Sequence, residues 1–201
     1  MPPCLETGNT EGINAMTNNP APRAWVGCLA CHVDGYLVGD WFEAAQSPTD
    51  ADQFEQAGLS LPARHFAEGH DEVWVFDFDG FGGVLRTECA PSEAVRLAEL
   101  ISAANDRGIP PEVLAYWIND GHDTHDPQMM LDELQDAWCG HYETEADYAR
   151  QLADDLSMIT ETDAWPYACV DWEWAWRELN LGGDNYSREA PSGGYHIFRA
   201  I

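Results

Sequence analysis

The chain has 201 residues, of which 36 are Asp or Glu, nine are Arg and none is Lys, giving a net charge of −27. That charge excludes DNA, RNA and anionic lipid surfaces as binding partners, because all of them repel it. A hydrophobic content of 45% with nine Trp excludes a disordered acidic tail, so the carboxylates must stand on a folded surface.

With only nine arginines to pair with them, most carboxylates face solvent unpartnered, and their mutual repulsion opposes compaction. Either the function uses the field, or a salty cytoplasm screens it. No segment approaches the 18 apolar residues of a membrane span, and the start lacks a signal peptide's basic and apolar regions. The expected location is the cytoplasm. There the six cysteines, Cys4, Cys28, Cys31, Cys89, Cys139 and Cys169, are read as reduced thiols.

Residues 1–22 are rich in Pro, Asn, Thr and Gly without periodicity, and are expected to form a disordered leader. Residues 23–90 read as an antiparallel β-rich domain. Two strands, 24–31 and 36–42, flank a turn at Asp34-Gly35, and a third runs from Val73 to Phe78. The polar stretch 43–72 has room for one short helix. From Pro91 the period becomes helical. Ser92 is the expected cap of a helix running through Ala104. Pro111 opens a second helix carrying Leu114, Trp117 and Ile118, closed near Gly121. Asp126 caps a third with Pro127 at its first position, and Met130, Leu131, Leu134 and Trp138 lie at core spacing. Residues 91–140 thus read as a small helical bundle.

The remainder, 141–201, reads as a mixed α/β unit. Thr144 caps a helix with Asp147 three residues on, a capping-box variant. Tyr148, Leu152, Leu156 and Ile159 form its apolar stripe, with Asp147, Asp154 and Asp155 on the far side. A further helix near Asp171–Leu179 carries Trp172, Trp176 and Leu179 in register. The chain closes on strands at Tyr186 and Tyr195–Arg199. The expected fold class is α+β: an elongated chain of three small units.

Several constellations could carry chemistry. Cys28 and Cys31 form a lone CxxC with no second ligand pair at comparable spacing, and read as small buried side chains rather than a metal site. The strand ending Asp77-Phe78-Asp79-Gly80 resembles the first motif of haloacid-dehalogenase-type phosphatases. Phosphoryl transfer also needs a cation there, ordinarily Lys, and this chain has none. His122, Asp123, His125 and Asp126 are dense enough for a metal, but Gly121 and Pro127 mark a loop between helices. No serine-hydrolase, phosphate-loop or dinucleotide fingerprint is present. No catalytic residue, metal or cofactor is expected.

The acids between Gly108 and Trp176 are the stronger signal: sixteen of them against one cation, Arg150. They are Glu112, Asp120, Asp123, Asp126, Asp132, Glu133, Asp136, Glu143, Glu145, Asp147, Asp154, Asp155, Glu161, Asp163, Asp171 and Glu173. Helices that bury one stripe leave such residues as ridges in water. At duplex DNA's one charge per about 1.7 Å, the net charge corresponds to roughly 46 Å of helix. A basic groove that holds phosphates by position and field would accept carboxylates so arrayed. The competing reading is an acidic enzyme or binding module of a halophile.

Five blocks carry a family resemblance. VGCLACHVDGYLVGDWFEA at 26–44, DFDGFGG at 77–83, DAWCGHYETEADYARQLADD at 136–155, VDWEWAWRELNLGGDNYS at 170–187 and GGYHIFR at 193–199 resemble, in this order, signature blocks of the ArdA antirestriction proteins. The resemblance implies an elongated three-domain homodimer that mimics DNA and inhibits type I restriction-modification enzymes of a bacterial host, protecting incoming mobile DNA. The block Thr144–Asp155 matches the antirestriction motif, which implies mimic charges at Glu143, Glu145, Asp147, Asp154 and Asp155. The Cys31-His32 pair and the Trp-rich 172–176 depart from the usual pattern.

Overall fold

The structure is a computed structural model that describes residues 21–57, 69–123, 126–156, 165 and 167–200. It is an α+β protein with two separate three-stranded antiparallel sheets. Contacts divide it into two units that meet between Asn119 and Asp120. The expected leader lies outside the described residues up to position 20; Pro22 already accepts a hydrogen bond from Ala44 N at 2.8 Å.

The first unit is built on β1 (Arg23–Cys28), β2 (Gly39–Glu43) and β3 (Val73–Asp79), in the order β2-β1-β3. Alternation decides which side is covered. Ala24, Val26, Val73 and Val75 are buried, and the register shift that skips Phe76 breaks the alternation, so that Asp77 and Asp79 face water. The expected 24–31 strand stops three residues early. Cys28 takes the cap position of α1 (Leu29–Val33), and its sulfur accepts from Cys31 N at 3.5 Å. The connection to β2 is therefore a helical turn and loop rather than a tight hairpin, and Tyr36 and Leu37 lie exposed before the strand starts. The short helix expected in 43–72 is α2 (Ala51–Gln56), capped by Asp50 accepting from Gln53 N at 2.8 Å.

Helix α3 (Pro91–Asp106) covers this unit with Leu97, Ala98, Leu100, Ile101 and Ala104, all buried. Ser92 is not its cap. Pro91 has its φ already fixed for the first helical position and lacks only a donor that the helix would leave unbonded, so the cap falls on Ala90. Helix α4 (Pro111–Trp117) buries Val113, Leu114 and Trp117, and leaves through a wide turn at Ile118–His122 in which Gly121 takes φ +99°.

The second unit opens with α5 (Pro127–Ala137), which buries Met130, Leu131, Leu134 and Ala137. Trp138 does not continue it. The chain turns extended at Trp138 and forms β4 (Trp138–Tyr142). Gly140 has φ +114°, at a register shift in its pairing with β6, a conformation that would break a helix. After β4 come α6 (Glu145–Asp155) and α7 (Trp172–Leu181), then β5 (Asn185–Glu189) and β6 (Tyr195–Arg199), in the sheet order β4-β6-β5. Tyr148, Ala149, Trp176 and Ile197 form the core between helices and sheet, with Tyr142, Leu152, Trp172 and Leu179 packed around them. Asn185 Nδ2 donates to Tyr148 Oη at 2.9 Å inside that core, so this buried phenol is satisfied. Leu156 falls past the helix end and is exposed, and Ile159 lies outside the described residues.

Candidate functional site

Why acids crowd one side of each helix in the second unit follows from helical geometry. At 100° per residue, the buried Met130, Leu131, Leu134 and Ala137 share one side of α5, Asp132 and Asp136 fall opposite, and Glu133 lies half-buried at the flank. On α6 the buried Tyr148 and Ala149 set the covered side, and Asp147, Asp154 and Asp155 are exposed. Glu145 lies toward the covered side and accepts a hydrogen bond from Ser187 Oγ of β5. Glu143 is exposed just before the helix, and Asp171 and Glu173 are exposed at the start of α7. From Asp120 to the end of the chain there are eighteen acids and four arginines.

These carboxylates fall into two sets. Some hold the backbone. Asp126 Oδ1 accepts from Gln128 N at 3.0 Å and Met129 N at 3.2 Å, capping α5. Asp147 Oδ2 accepts from Thr144 N at 3.1 Å while Thr144 Oγ1 accepts from Asp147 N at 3.2 Å, closing the capping box of α6. Asp171 Oδ1 accepts from Trp174 N at 3.0 Å, capping α7. All three also complement the positive helix N-terminus. The other set, Asp136, Glu143, Asp155 and Glu173, is exposed and makes no ion pair among the described residues. Holding these charges together has no local structural return.

Two arginines interrupt the acidic field. Arg188 Nη2 meets Asp120 Oδ1 at 2.8 Å, so Asp120 is paired, contrary to a uniformly unpartnered surface. Arg150 Nε donates to Tyr167 Oη at 2.8 Å, and Tyr167 Oη donates to Asp154 Oδ2 at 3.2 Å. The guanidinium also lies over the Tyr167 ring, 5.5 Å from its centre. The Tyr167 hydroxyl first, then nearby Asp154 and Asp147, raise the Arg150 pKa further, keeping the cation charged. Asp154 is thus oriented by a relay that no sequence spacing signals.

Other members of the expected surface are placed differently. Glu112 stands in the first turn of α4, in the first unit. Asp123 is exposed beside His122. Glu161, Asp163 and His125 lie outside the described residues. The Asp77 and Asp79 pair ends a strand of an antiparallel sheet, where Asp77 Oδ1 accepts from Phe78 N at 2.8 Å. The phosphatase motif it resembles belongs to a parallel sheet. Trp176 is core, whereas Trp174 is 57% exposed with Arg177 stacked 5.4 Å from its ring centre. The Cys28–Cys31 pair has a neighbour that the spacing did not supply, His70, 39 residues beyond Cys31.

Among the described residues, no helix is long and apolar enough to cross a membrane. The family model for antirestriction protein (ArdA) matches residues 24–192, and the chain belongs to that family of non-enzymatic antirestriction proteins. No match was found among curated proteins or among solved structures.

Proposed function

We propose that this antirestriction protein acts as a DNA mimic: its acidic helices occupy the DNA-binding groove of a type I restriction-modification enzyme. The observation that carries the reading is the set of exposed carboxylates on α5, α6 and the start of α7 that neither cap a helix nor pair with an arginine. Helix α6 is about 16 Å long and carries three exposed carboxylates, Asp147, Asp154 and Asp155, about one per 5 Å, against the 3.4 Å per charge of a single DNA strand. Helix α5 with its capping aspartate reaches a similar density.

The mimic acts as a homodimer in the bacterial cytoplasm, on behalf of incoming mobile DNA. Exposed Leu156, Trp174 and Leu181 in the second unit support self-association. The deciding experiment is competition. A type I enzyme is saturated with its DNA site and titrated with this protein. Displacement of DNA one-for-one, weakening steeply with salt, is expected. A stable ternary complex at saturation of both would replace mimicry with allosteric inhibition. A halophilic enzyme would instead unfold as salt is removed.

A further inference from the structure

Independently of the acidic surface, we propose that Cys28, Cys31 and His70 form a metal site of zinc type in the first unit. The sheet itself assembles it. β1 pairs with β3 so that Cys28 lies opposite Val73, and Leu29 N donates to Glu72 O at 3.0 Å. That register delivers His70, three residues before Val73, to the end of β1, where α1 turns Cys31 back over Cys28. Both thiols are buried and the imidazole is half-buried.

The distances fit a coordination sphere. His70 Nδ1 stands 3.5 Å from Cys28 Sγ and 3.3 Å from Cys31 Sγ, and the three ligand atoms all lie within 4.8 Å of one another. Zinc bonds of about 2.3 Å to sulfur and about 2.0 Å to nitrogen, at tetrahedral angles, place sulfur and nitrogen about 3.5 Å apart. The Cys31 N–H that points at Cys28 Sγ is the kind of outer hydrogen bond that steadies a metal-bound thiolate. Two soft thiolates with one imidazole favour zinc over calcium or magnesium, and leave a fourth position for water or another donor. Each thiol that forms a metal–sulfur bond releases one proton to solvent, so binding strengthens as pH rises. The protein's strongly negative field draws cations toward it.

The test uses the full reduced chain titrated with cobalt(II) and then zinc, in excess magnesium to occupy surface carboxylates. One cobalt per chain is expected, with a thiolate-to-cobalt charge-transfer band that zinc abolishes. Cys31→Ser and His70→Ala should each weaken binding by more than about tenfold, while Cys89→Ser and Cys169→Ser should not. His70→Cys should keep the site and intensify the charge-transfer band, which guards against loss through misfolding. The proposal is overturned if the reduced wild type gives no charge-transfer band, or if binding is indifferent to Cys31→Ser and His70→Ala.

Discussion

Asp147 serves two purposes with one carboxylate: it closes a capping box and adds a charge to the exposed side of α6. That double role separates the acids that residue spacing reveals from those it does not. Asp126, Thr144 and Asp147 were legible because a cap, a proline and a carboxylate at fixed offsets are local chemistry. The Arg150–Tyr167–Asp154 relay and the Asp120–Arg188 pair were not, because they join residues 13 to 68 apart that only the fold brings together. Glu93 offers a check at this scale. The hydrogen bonds from Arg96 hold its carboxyl below the usual range. A pKa lower in the folded than in the unfolded state stabilises above the unfolded value and is lost as pH falls through the folded one. The stability gap between wild type and Glu93→Gln should therefore be full at neutral pH, shrink below about pH 4.3, and close in stronger acid. Because the pair is partly exposed, that gap will be small. Paired urea titrations across this range measure it, and a gap that widened in acid would contradict the assignment.

Among the elements, the sequence pattern located β3, α5, α7 and β6 well: α5 buries a clear stripe, β3 alternates over Val73–Phe76, α7 turns Trp176 inward, and β6 carries the apolar run Ile197-Phe198. It failed at Trp138. That residue keeps helical spacing from Leu131 and Leu134, yet the positive φ of Gly140 and the pairing of β4 with β6 pull it into a strand. A helical period cannot report a sheet partner more than 50 residues away. For α6, removing the cap hydroxyl with Thr144→Ala should cost about 1 kcal/mol by thermal or urea unfolding, with Thr144→Ser close to wild type. Binding should respond differently. Neutralising Asp147, Asp154 or Asp155 singly to Asn should weaken inhibition by only about two- to fivefold, as exposed charges act through high dielectric. Neutralising all three with Asp132, Glu133 and Asp136 should weaken it on the order of 100-fold or more if the contributions add. Inhibition assays on folded variants decide it. A single residue that abolished inhibition would point to a specific contact in place of a distributed field.

For the whole molecule, composition announced the acidic surface and the order of strand and helix patterns the α+β class, but neither revealed that contacts group α3 and α4 with the first sheet. Helical periodicity says which residues are buried and nothing about what they are buried against. The molecule should fold without added salt, since both sheets have covered faces and both units bury aromatic or aliphatic cores. Circular dichroism in low-salt buffer should give the same helix content as in molar salt. Sedimentation should give twice the 22.4 kDa chain mass at micromolar concentration. A monomer there would remove the homodimer from the proposal.

Trp174 gives the acidic surface its own optical reporter. Its indole is 57% exposed on α7, where Asp171, Glu173 and Glu178 outnumber the Arg177 stacked on it, and Trp165 is 82% exposed. Fluorescence from these rings should be quenched more readily by cesium than by iodide, because the surrounding carboxylates concentrate one ion and turn the other away. A basic protein seated on this face would reverse that preference by covering the rings and neutralising the charge around them. The same measurement on Trp174→Phe would show how much of the signal comes from this side of the molecule, with no dye attached and no charge altered.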